Sequence, residues 1–338
     1  MKILVTGGAG YIGTHTCIEL IKKGYEVVVV DNFVNSHPKA IERVKKITGV
    51  DFPFYELDLL DGEALDKICI DHTIDGIIHF AALKAVGESV AKPLEYYENN
   101  LGSAISLLKF MEKHNVGHII FSSSATVYRG DNPMPLVEDS MLGCINPYGW
   151  TKFMSEQIIS DTAYALGKTA VLLRYFNPIG AHESGLIGDD PTGIPNNLLP
   201  YLTQAAAGKL PVLPVTGADY PTPDGTGIRD YLHVVDLAIG HVTAIEFAAK
   251  NTGTHAFNLG TGKGVSVLEM IHAFERVNGV KVPYKIVDRR PGDLAECYAD
   301  PSKAAKILNW RTKKSLDDAL ADMWRWQTMN PMGYSAQD

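Results

Sequence analysis

The sequence predicts an α/β fold in which a doubly wound parallel sheet is followed by a smaller C-terminal α/β domain for substrate. Three observations indicate this. Short apolar runs alternate with helical segments through the first half of the chain. A glycine-rich turn follows the first run, and the second half carries long loops rich in glycine, proline and aspartate. Apolar runs separated by helices are typical of parallel strands covered on both faces.

Five strands can be placed along the first half, in the runs KILVTG, EVVVVD, PFYELDLLD, GIIHFAA and HIIFSSS. The segment THTCIELIKKG, between the first two runs, predicts a helix that ends at Gly24. Right-handed crossovers between such strands produce a doubly wound sheet. We place the first domain at residues 1–176 and the second at 177–338. The segments HVVDLAIGHVTAIEF and HAFNLGTG, within 230–262, could return to the first domain.

Composition excludes several classes of partner. The net charge of −8 argues against a nucleic-acid groove or an anionic membrane surface. No stretch approaches the ~20 apolar residues that a membrane helix needs. The chain enters a strand at once, which leaves no room for a signal peptide. Its four cysteines are scattered, without the paired spacing of a zinc or redox motif. We therefore expect no metal and a cytoplasmic protein that acts on a small molecule.

The turn TGGAGYIG predicts a phosphate site. Gly8, Gly10 and Gly13 fit the pattern G-x-G-x-x-G, and Gly7 gives the variant G-x-x-G-x-x-G. The turn follows a strand and opens a helix, so its amides and the helix N-terminus can bind a pyrophosphate. Asp31 closes the next strand, where a carboxylate binds the adenosine ribose and repels a 2′-phosphate. The pattern predicts a Rossmann-type domain that binds NAD rather than NADP.

The segment NPYGWTK places Tyr148 four residues before Lys152. Residues at this spacing share one face of a helix, although a surface helix that starts at Pro147 is the ordinary interpretation. A positive charge ~5 Å from a phenol, at an effective dielectric of ~20, is worth about 3 kcal/mol. That would lower the phenol pKa by roughly two units from ~10. We therefore expect Tyr148 to act as a general base, with Ser124 at the end of the fifth strand within reach.

The Tyr-x-x-x-Lys pair, the serines 122–124 and the glycine turn together resemble the extended short-chain dehydrogenase/reductase superfamily. Further motifs follow in order along almost the whole chain. They are HFAALKAVGES, KPLEYYENN, SSSATVY, LLRYFNPIGAH, GIPNNLLPY, DGTGIRDYLHVVDLA and RRPGDLAECYADPSKA. As a set they are similar to the members that invert C4 of UDP-hexoses.

This resemblance implies an isomerase that interconverts the UDP derivatives of glucose and galactose by transient oxidation to a 4-keto sugar. Its NAD would stay tightly bound and be regenerated in each turnover. The implied catalytic residues are Ser124, Tyr148 and Lys152. Relatives form homodimers through paired helices of the first domain, for which SAISLLKFMEKH and TKFMSEQIISDTAYALG are the candidates.

The resemblance also implies the binding residues, position by position. The implied cofactor contacts are Gly7, Gly10, Tyr11, Ile12, Gly13, Asp31, Asn32, Asn35, Ser36, Asp58, Leu59, Phe80, Ala81, Lys84, Asn99, Ser122, Tyr148, Lys152 and Phe176. The implied substrate contacts are Ser124, Tyr148, Asn177, Asn197, Leu198, Thr216, Arg229, Arg290, Asp293 and Cys297. In this set Arg229 and Arg290 clamp the diphosphate, which suits the fit of a guanidinium to phosphate oxygens.

One position carries information on specificity, and two others depart from the pattern of the family. By the resemblance, Cys297 corresponds to the position beside the sugar 2-substituent. A bulky tyrosine at that position is implied to restrict the substrates of relatives to the UDP derivatives of glucose and galactose. A thiol is far smaller, so we expect the N-acetylated UDP-hexoses to be substrates as well. Thr216 departs from the aromatic residue that relatives often carry near the uracil, and Arg129 is an addition to the loop after the fifth strand.

Other activities remain open on the same fold. A sugar-nucleotide 4,6-dehydratase shares the cofactor and the Tyr/Lys pair, but it needs an Asp-Glu pair where this chain has Ala125 and Thr126. A pentose 4-epimerase is a further alternative. A non-catalytic NAD sensor typically loses the tyrosine or the lysine, and this chain keeps both.

Overall fold

A computed structural model of the chain describes residues 1–191, 195, 197–290 and 292–335. The strands are β1 Lys2–Thr6, β2 Glu26–Asp31, β3 Phe54–Glu56, β4 Gly76–His79, β5 His118–Ser124, β6 Thr169–Tyr175, β7 Asn177–Ile179, β8 Leu213–Thr216, β9 Ile228–His233, β10 Gly253–Leu259, β11 Gly264–Ser266, β12 Tyr284–Val287 and β13 Glu296–Cys297. The helices are α1 Tyr11–Lys22, α2 Pro38–Thr48, α3 Gly62–Asp66, α4 Ile68–Asp71, α5 Val86–Ala91, α6 Pro93–Lys113, α7 Pro147–Leu166, α8 Leu198–Ala206, α9 Val234–Ala248, α10 Val267–Asn278, α11 Ser302–Ile307 and α12 Leu316–Met329.

The larger sheet has seven parallel strands in the order β10-β6-β5-β4-β1-β2-β3. Its strands are apolar on both faces and almost fully buried, as doubly covered parallel strands must be. One face packs on α1, α2 and α9, and the other on α6 and α7. The strand order reverses between β1 and β4, which creates a crevice at their carboxyl ends. The predicted doubly wound sheet is confirmed.

A smaller lobe follows. Strands β7, β9, β11 and β13 form a second, mixed sheet, and β8 pairs with β12. Helices α8, α10 and α12 pack together around a separate apolar core. The chain alternates between the two sheets: it leaves the larger one after β6, returns to it at β10, and leaves it again for β11.

Some predicted boundaries were wrong. Helix α1 begins at Tyr11, directly after the glycine turn, and not at Thr14. Composition predicts loops over residues 178–200 and 217–231, but both loops end earlier, because α8 begins at Leu198 and β9 at Ile228. Within the described part of the chain, no helix combines the length and apolar character needed to cross a bilayer.

Candidate active site

The glycine turn lies at the crevice where the strand order reverses. Gly7 has φ of +68°, and a Cβ on it would come within 2.7 Å of the Ala81 backbone nitrogen, at the end of β4. A Cβ on Gly13 would overlap the Gly7 carbonyl and come within 2.7 Å of the Gly8 Cα. Gly10 is the N-cap of α1 and has no side chain to occupy the first-turn amides. The turn is therefore a close-packed backbone cradle that offers N–H groups to an anion.

Asp31 ties this cradle to the next loop. Its carboxylate accepts the Ala9 N–H at 2.9 Å, the Phe33 N–H at 3.0 Å and the Ser36 hydroxyl at 2.7 Å. Beside it, the Asn32 side-chain amide donates to Asp58 at 3.0 Å. A fixed carboxylate at the end of β2, next to a phosphate cradle, fits the ribose of NAD and disfavours a 2′-phosphate. The residues present therefore fit NAD.

The remaining predicted cofactor residues lie around this crevice. Phe80, Ala81 and Lys84 follow β4. Asn99 lies on α6 and hydrogen-bonds to Asn100, which in turn binds both the backbone of Leu83 and the Thr151 hydroxyl. Asn35 and Leu59 lie in the loops after β2 and β3, and Phe176 follows β6. Tyr11 and Ile12 form the first turn of α1, and the Tyr11 hydroxyl donates to the Gly180 carbonyl at 2.7 Å.

Helix α7 brings Tyr148 and Lys152 to the end of β5. The Asn146 side chain caps the helix by accepting the Gly149 N–H at 2.8 Å, and Pro147 occupies the first turn. The Lys152 ammonium donates to the Ser122 carbonyl at 2.8 Å and lies 5.9 Å from the centre of the Tyr148 ring. The Ser124 hydroxyl neighbours the Tyr148 phenol and favours its ionised form. The structure thus brings the three predicted catalytic residues together.

The expected pKa of Tyr148 was wrong in direction. Burial of the phenol raises the pKa of Tyr148 to about 12, and the neighbouring Ser124 hydroxyl only partly offsets this. Burial also lowers the pKa of Lys152 to about 8, so the amine is still mostly protonated at neutral pH. Folding removes water from around the phenol, and this loss of hydration opposes ionisation more than one nearby positive charge favours it.

Thr126 fixes the direction of the Ser124 hydroxyl, a role that sequence reasoning missed. The Ser124 oxygen accepts the Thr126 N–H at 3.2 Å and the Thr126 hydroxyl at 3.0 Å. With both donors facing its oxygen, the one proton of Ser124 is free to point at Tyr148. A serine at a strand end followed two residues later by a threonine is the sequence signal for such a turn.

The second sheet carries several of the predicted substrate residues. Asn177 begins β7, and Arg229 on β9 is the register partner of Cys297 on β13. The Arg229 guanidinium pairs with the Asp293 carboxylate. Cys297 packs against an apolar cluster that includes Phe176, next to the cofactor crevice. Burial raises the pKa of the Cys297 thiol to about 11, so it remains uncharged.

Other predicted substrate residues lie at the edges of this lobe. Asn197 is the N-cap of α8 and Leu198 is its first residue. Thr216 ends β8, opposite Val287 of β12. Arg290 is exposed, and its backbone carbonyl accepts the Asp293 N–H at 3.2 Å. Arg129 pairs with Asp131 on the surface, so this additional arginine is satisfied locally.

Asp230 supports this face of the site and was also missed. Its fully buried carboxylate accepts the N–H groups of Thr261 at 2.8 Å, Gly262 at 3.1 Å and Ala299 at 3.2 Å. It therefore fastens the chain two residues after Cys297 to β9. Its position directly after Arg229 in the motif IRDY was the available signal.

A dinucleotide cradle at the switch point of a parallel sheet, facing a tyrosine, a lysine and a serine, defines a site of the short-chain dehydrogenase/reductase class. Residues 3–260 match the model of the NAD dependent epimerase/dehydratase family. The chain belongs to this family.

Individual relatives are similar in sequence to this chain over nearly its full length. The chain is 59% identical to a UDP-glucose 4-epimerase of Bacillus subtilis, with all of both chains covered. It superposes with a TM-score of 0.95 on a crystal structure of UDP-glucose 4-epimerase from Bifidobacterium longum in complex with NAD+ and UDP, at 55% identity over 98% of this chain and 100% of that one. It is also similar to the UDP-Glc/GlcNAc 4-epimerase of Campylobacter jejuni, with 36% identity, a TM-score of 0.83 and coverage of 97% and 99%.

The cradle can be tested with Gly13→Ala. The added methyl overlaps the turn backbone, so we expect the purified protein to carry at least about tenfold less NAD than the native protein, as quantified after heat release. Gly87→Ala is the matched control, because a Cβ there meets nothing within 4 Å. Native NAD content in the Gly13 variant would contradict the assignment of the cradle.

Proposed function

We propose that the protein is a UDP-hexose 4-epimerase that interconverts UDP-glucose and UDP-galactose with bound NAD. The observation that carries the proposal is the convergence of Ser124, Tyr148 and Lys152 on the crevice formed by the glycine turn. The full-length similarity to enzymes of that name supports it. One catalytic group and one cofactor are sufficient for inversion when the sugar can present each of its two faces to them in turn.

The cofactor would be held by the glycine turn and Asp31. When bound, NAD would supply the acceptor and donor of the C4 hydride and a positive charge near the phenol. The protein supplies the proton transfer. The sugar 4-hydroxyl gives its proton to the Tyr148 Oη and regains a proton from it when the ketone is reduced.

Two neighbours make this proton transfer possible. The Ser124 hydroxyl beside the phenol lowers the pKa of Tyr148, which means that it stabilises the phenolate more than the phenol. The Lys152 ammonium, held by the Ser122 carbonyl, adds positive charge on the same side. Together they oppose the burial that raises the pKa of Tyr148, so that base strength develops only in the assembled site.

The proposed substrate residues form two groups, an anchor that holds the nucleotide diphosphate and a pocket that surrounds the sugar. Arg229, with Asp293 beside it, and Arg290 would hold the diphosphate and the uridine ribose. Asn177, Asn197 and Leu198 would contact the diphosphate and sugar. Thr216 would border the uracil. Because only the anchor is charged, the keto sugar is free to rotate about it and present either face to the same hydride.

The dehydratase alternative finds less support. Elimination of water needs an acid and a base beyond the tyrosine. The residues that follow Ser124, Ala125 and Thr126, lie in a short 3₁₀ turn and carry no carboxyl group, and the Thr126 hydroxyl is engaged by Ser124. A non-catalytic sensor would have no need of the Tyr148–Lys152 pair.

Tyr148→Phe tests the mechanism. The variant loses the proton acceptor but keeps the ring, so we expect turnover of UDP-galactose to fall by at least ~100-fold while NAD content stays native. The assay uses purified protein without added nicotinamide. Full activity in this variant would refute the role of Tyr148, and an inactive native protein would refute the proposed function.

Cys297 is proposed to widen the pocket for a 2-acetamido group. Its thiol borders the cluster that contains Phe176, and a relative named for UDP-Glc and GlcNAc supports the possibility in this family. We expect the native protein to epimerise UDP-GlcNAc and UDP-GalNAc. Cys297→Tyr should lower those rates by about tenfold or more and preserve the rates on UDP-glucose and UDP-galactose. Failure of the native protein to turn over either N-acetyl sugar would disprove the idea.

We also propose a homodimer formed through α6 and α7. These helices pack side by side on the sheet, and Ile105, Met154 and Tyr164 expose large apolar surface on them. Sedimentation equilibrium should give twice the chain mass of 36.9 kDa. Met154→Glu should shift the protein towards the single-chain mass, whereas a native protein that sediments as one chain would exclude this dimer.

A cytoplasmic location is part of the same proposal. All four cysteines are free thiols in the structure, which suits a reducing compartment. Recovery of the protein outside the cytoplasmic fraction of its source cells would contradict it.

A further inference from the structure

The serine run 122–124 at the end of β5 lies along one face of α7 over three successive turns. The hydroxyl of the third serine lies beside the Tyr148 phenol and favours its ionisation, and the carbonyl of the first accepts the Lys152 ammonium. The hydroxyl of the middle serine donates to the Glu156 carboxylate. Tyr148, Lys152 and Glu156 are spaced four residues apart, so they lie along one side of the helix.

Glu156 is buried together with its ion-pair partner. It is only 4% exposed and forms a two-pronged ion pair with Arg174 of β6, which is 5% exposed, at 2.9 and 2.7 Å. Arg174 is fixed in turn by the Tyr128 hydroxyl at 3.2 Å and the Glu138 carbonyl at 3.0 Å. Apolar residues of similar volume could fill such a place at no cost in stability, so the charges call for another explanation.

We propose that Glu156 is a positioning residue of the same site: its buried carboxylate, one helical turn from Lys152, favours the charged form of the Lys152 ammonium and holds this side of α7 to β5 through Ser123 and to β6 through Arg174. It acts through Lys152 and contacts neither sugar nor dinucleotide. The catalytic part of this role rests on the proposed function, but the effect on Lys152 does not.

The surroundings of Lys152 support this assignment. Lys152 is 5% exposed, and its burial disfavours the ammonium, while the Glu156 charge raises the pKa of Lys152. His79 on β4 also faces it, but burial lowers the pKa of that imidazole to about 3, so it is neutral. Burial likewise raises the pKa of the phenols of Tyr148 and Tyr175. While Tyr148 holds its proton, the Glu156 carboxylate, paired with Arg174, is the negatively charged member of this set.

The sign of the expected effect follows from the ion pair. Glu156→Gln preserves the shape and a hydrogen-bonding group but removes the negative charge. The Arg174 guanidinium is then unbalanced, and both changes favour the neutral amine of Lys152. The midpoint of the Lys152 titration should therefore move to lower pH, and the alkaline limb of the pH–rate profile should move in the same direction.

The test follows Lys152 directly in the full-length protein saturated with NAD+. Lysines are labelled with carbon-13 at Cε, and the Lys152 resonance is assigned by its loss in Lys152→Arg. In Glu156→Gln we expect the titration midpoint to fall by about one pH unit or more. The alkaline limb of kcat for UDP-galactose should move by a similar amount.

Two further variants separate charge from shape. Ser123→Ala removes the hydroxyl bond but keeps the ion pair, so the Lys152 midpoint should remain near the native value. Glu156→Gln/Arg174→Met removes both charges, and its midpoint should lie between the native and single-variant values. Because the double variant buries no unpaired charge, it carries the test if the single variant does not fold.

An unchanged midpoint in Glu156→Gln, or in the double variant when that one carries the test, would overturn the proposal. Glu156 would then be a structural clamp, even if activity were lower. A native protein without epimerase activity would overturn the proposed function instead, and the titration would still decide the effect of Glu156 on Lys152.

Discussion

An ammonium group that leaves water needs compensating partners, and the Lys152 side chain finds them at the end of β5. Its proton donor faces the Ser122 carbonyl at 2.8 Å, and its charge lies 4.9 Å from the centre of the Phe121 ring. These contacts restrict the rotation of α7 about its own axis, because a lysine on the buried side of the helix reaches the end of β5 in only one orientation. Tyr148, one turn earlier, is thereby directed at Ser124. The chemistry of the site thus depends on how a single buried charge is accommodated.

The two sheets supply different parts of the site. The carboxyl edge of the parallel sheet provides the glycine turn, which follows β1, and Asp31 and the serine run, which end β2 and β5. The smaller sheet provides Arg229 and Cys297 on neighbouring strands. Asp230, buried between them and the loop after β10, joins these parts by three backbone hydrogen bonds. Reaction and recognition are therefore built on separate frameworks that meet at one cleft.

Much of this arrangement was visible in the sequence, because the signals are local. The glycine turn, the acid at the end of β2 and the Tyr-x-x-x-Lys spacing each report the geometry of a few adjacent residues. What the sequence could not provide depends on distant segments. The pKa of Tyr148 depends on how much water the whole fold excludes. Glu156 had the correct helical spacing, but it resembles any solvated glutamate until Arg174, from another strand, is seen to pair with it.

The alternation of the chain between the two sheets has a mechanical consequence. The backbone crosses from the larger sheet to the smaller after β6, crosses back at β10, and crosses again before β11. Arg43 of α2 adds a further link, through its hydrogen bond to Asn330 at the end of the chain at 2.7 Å. Lobes joined by several separate crossings are more restricted in their relative rotation than lobes joined by a single linker. The spacing between the reacting groups and the proposed diphosphate anchor is therefore set by several strand connections together.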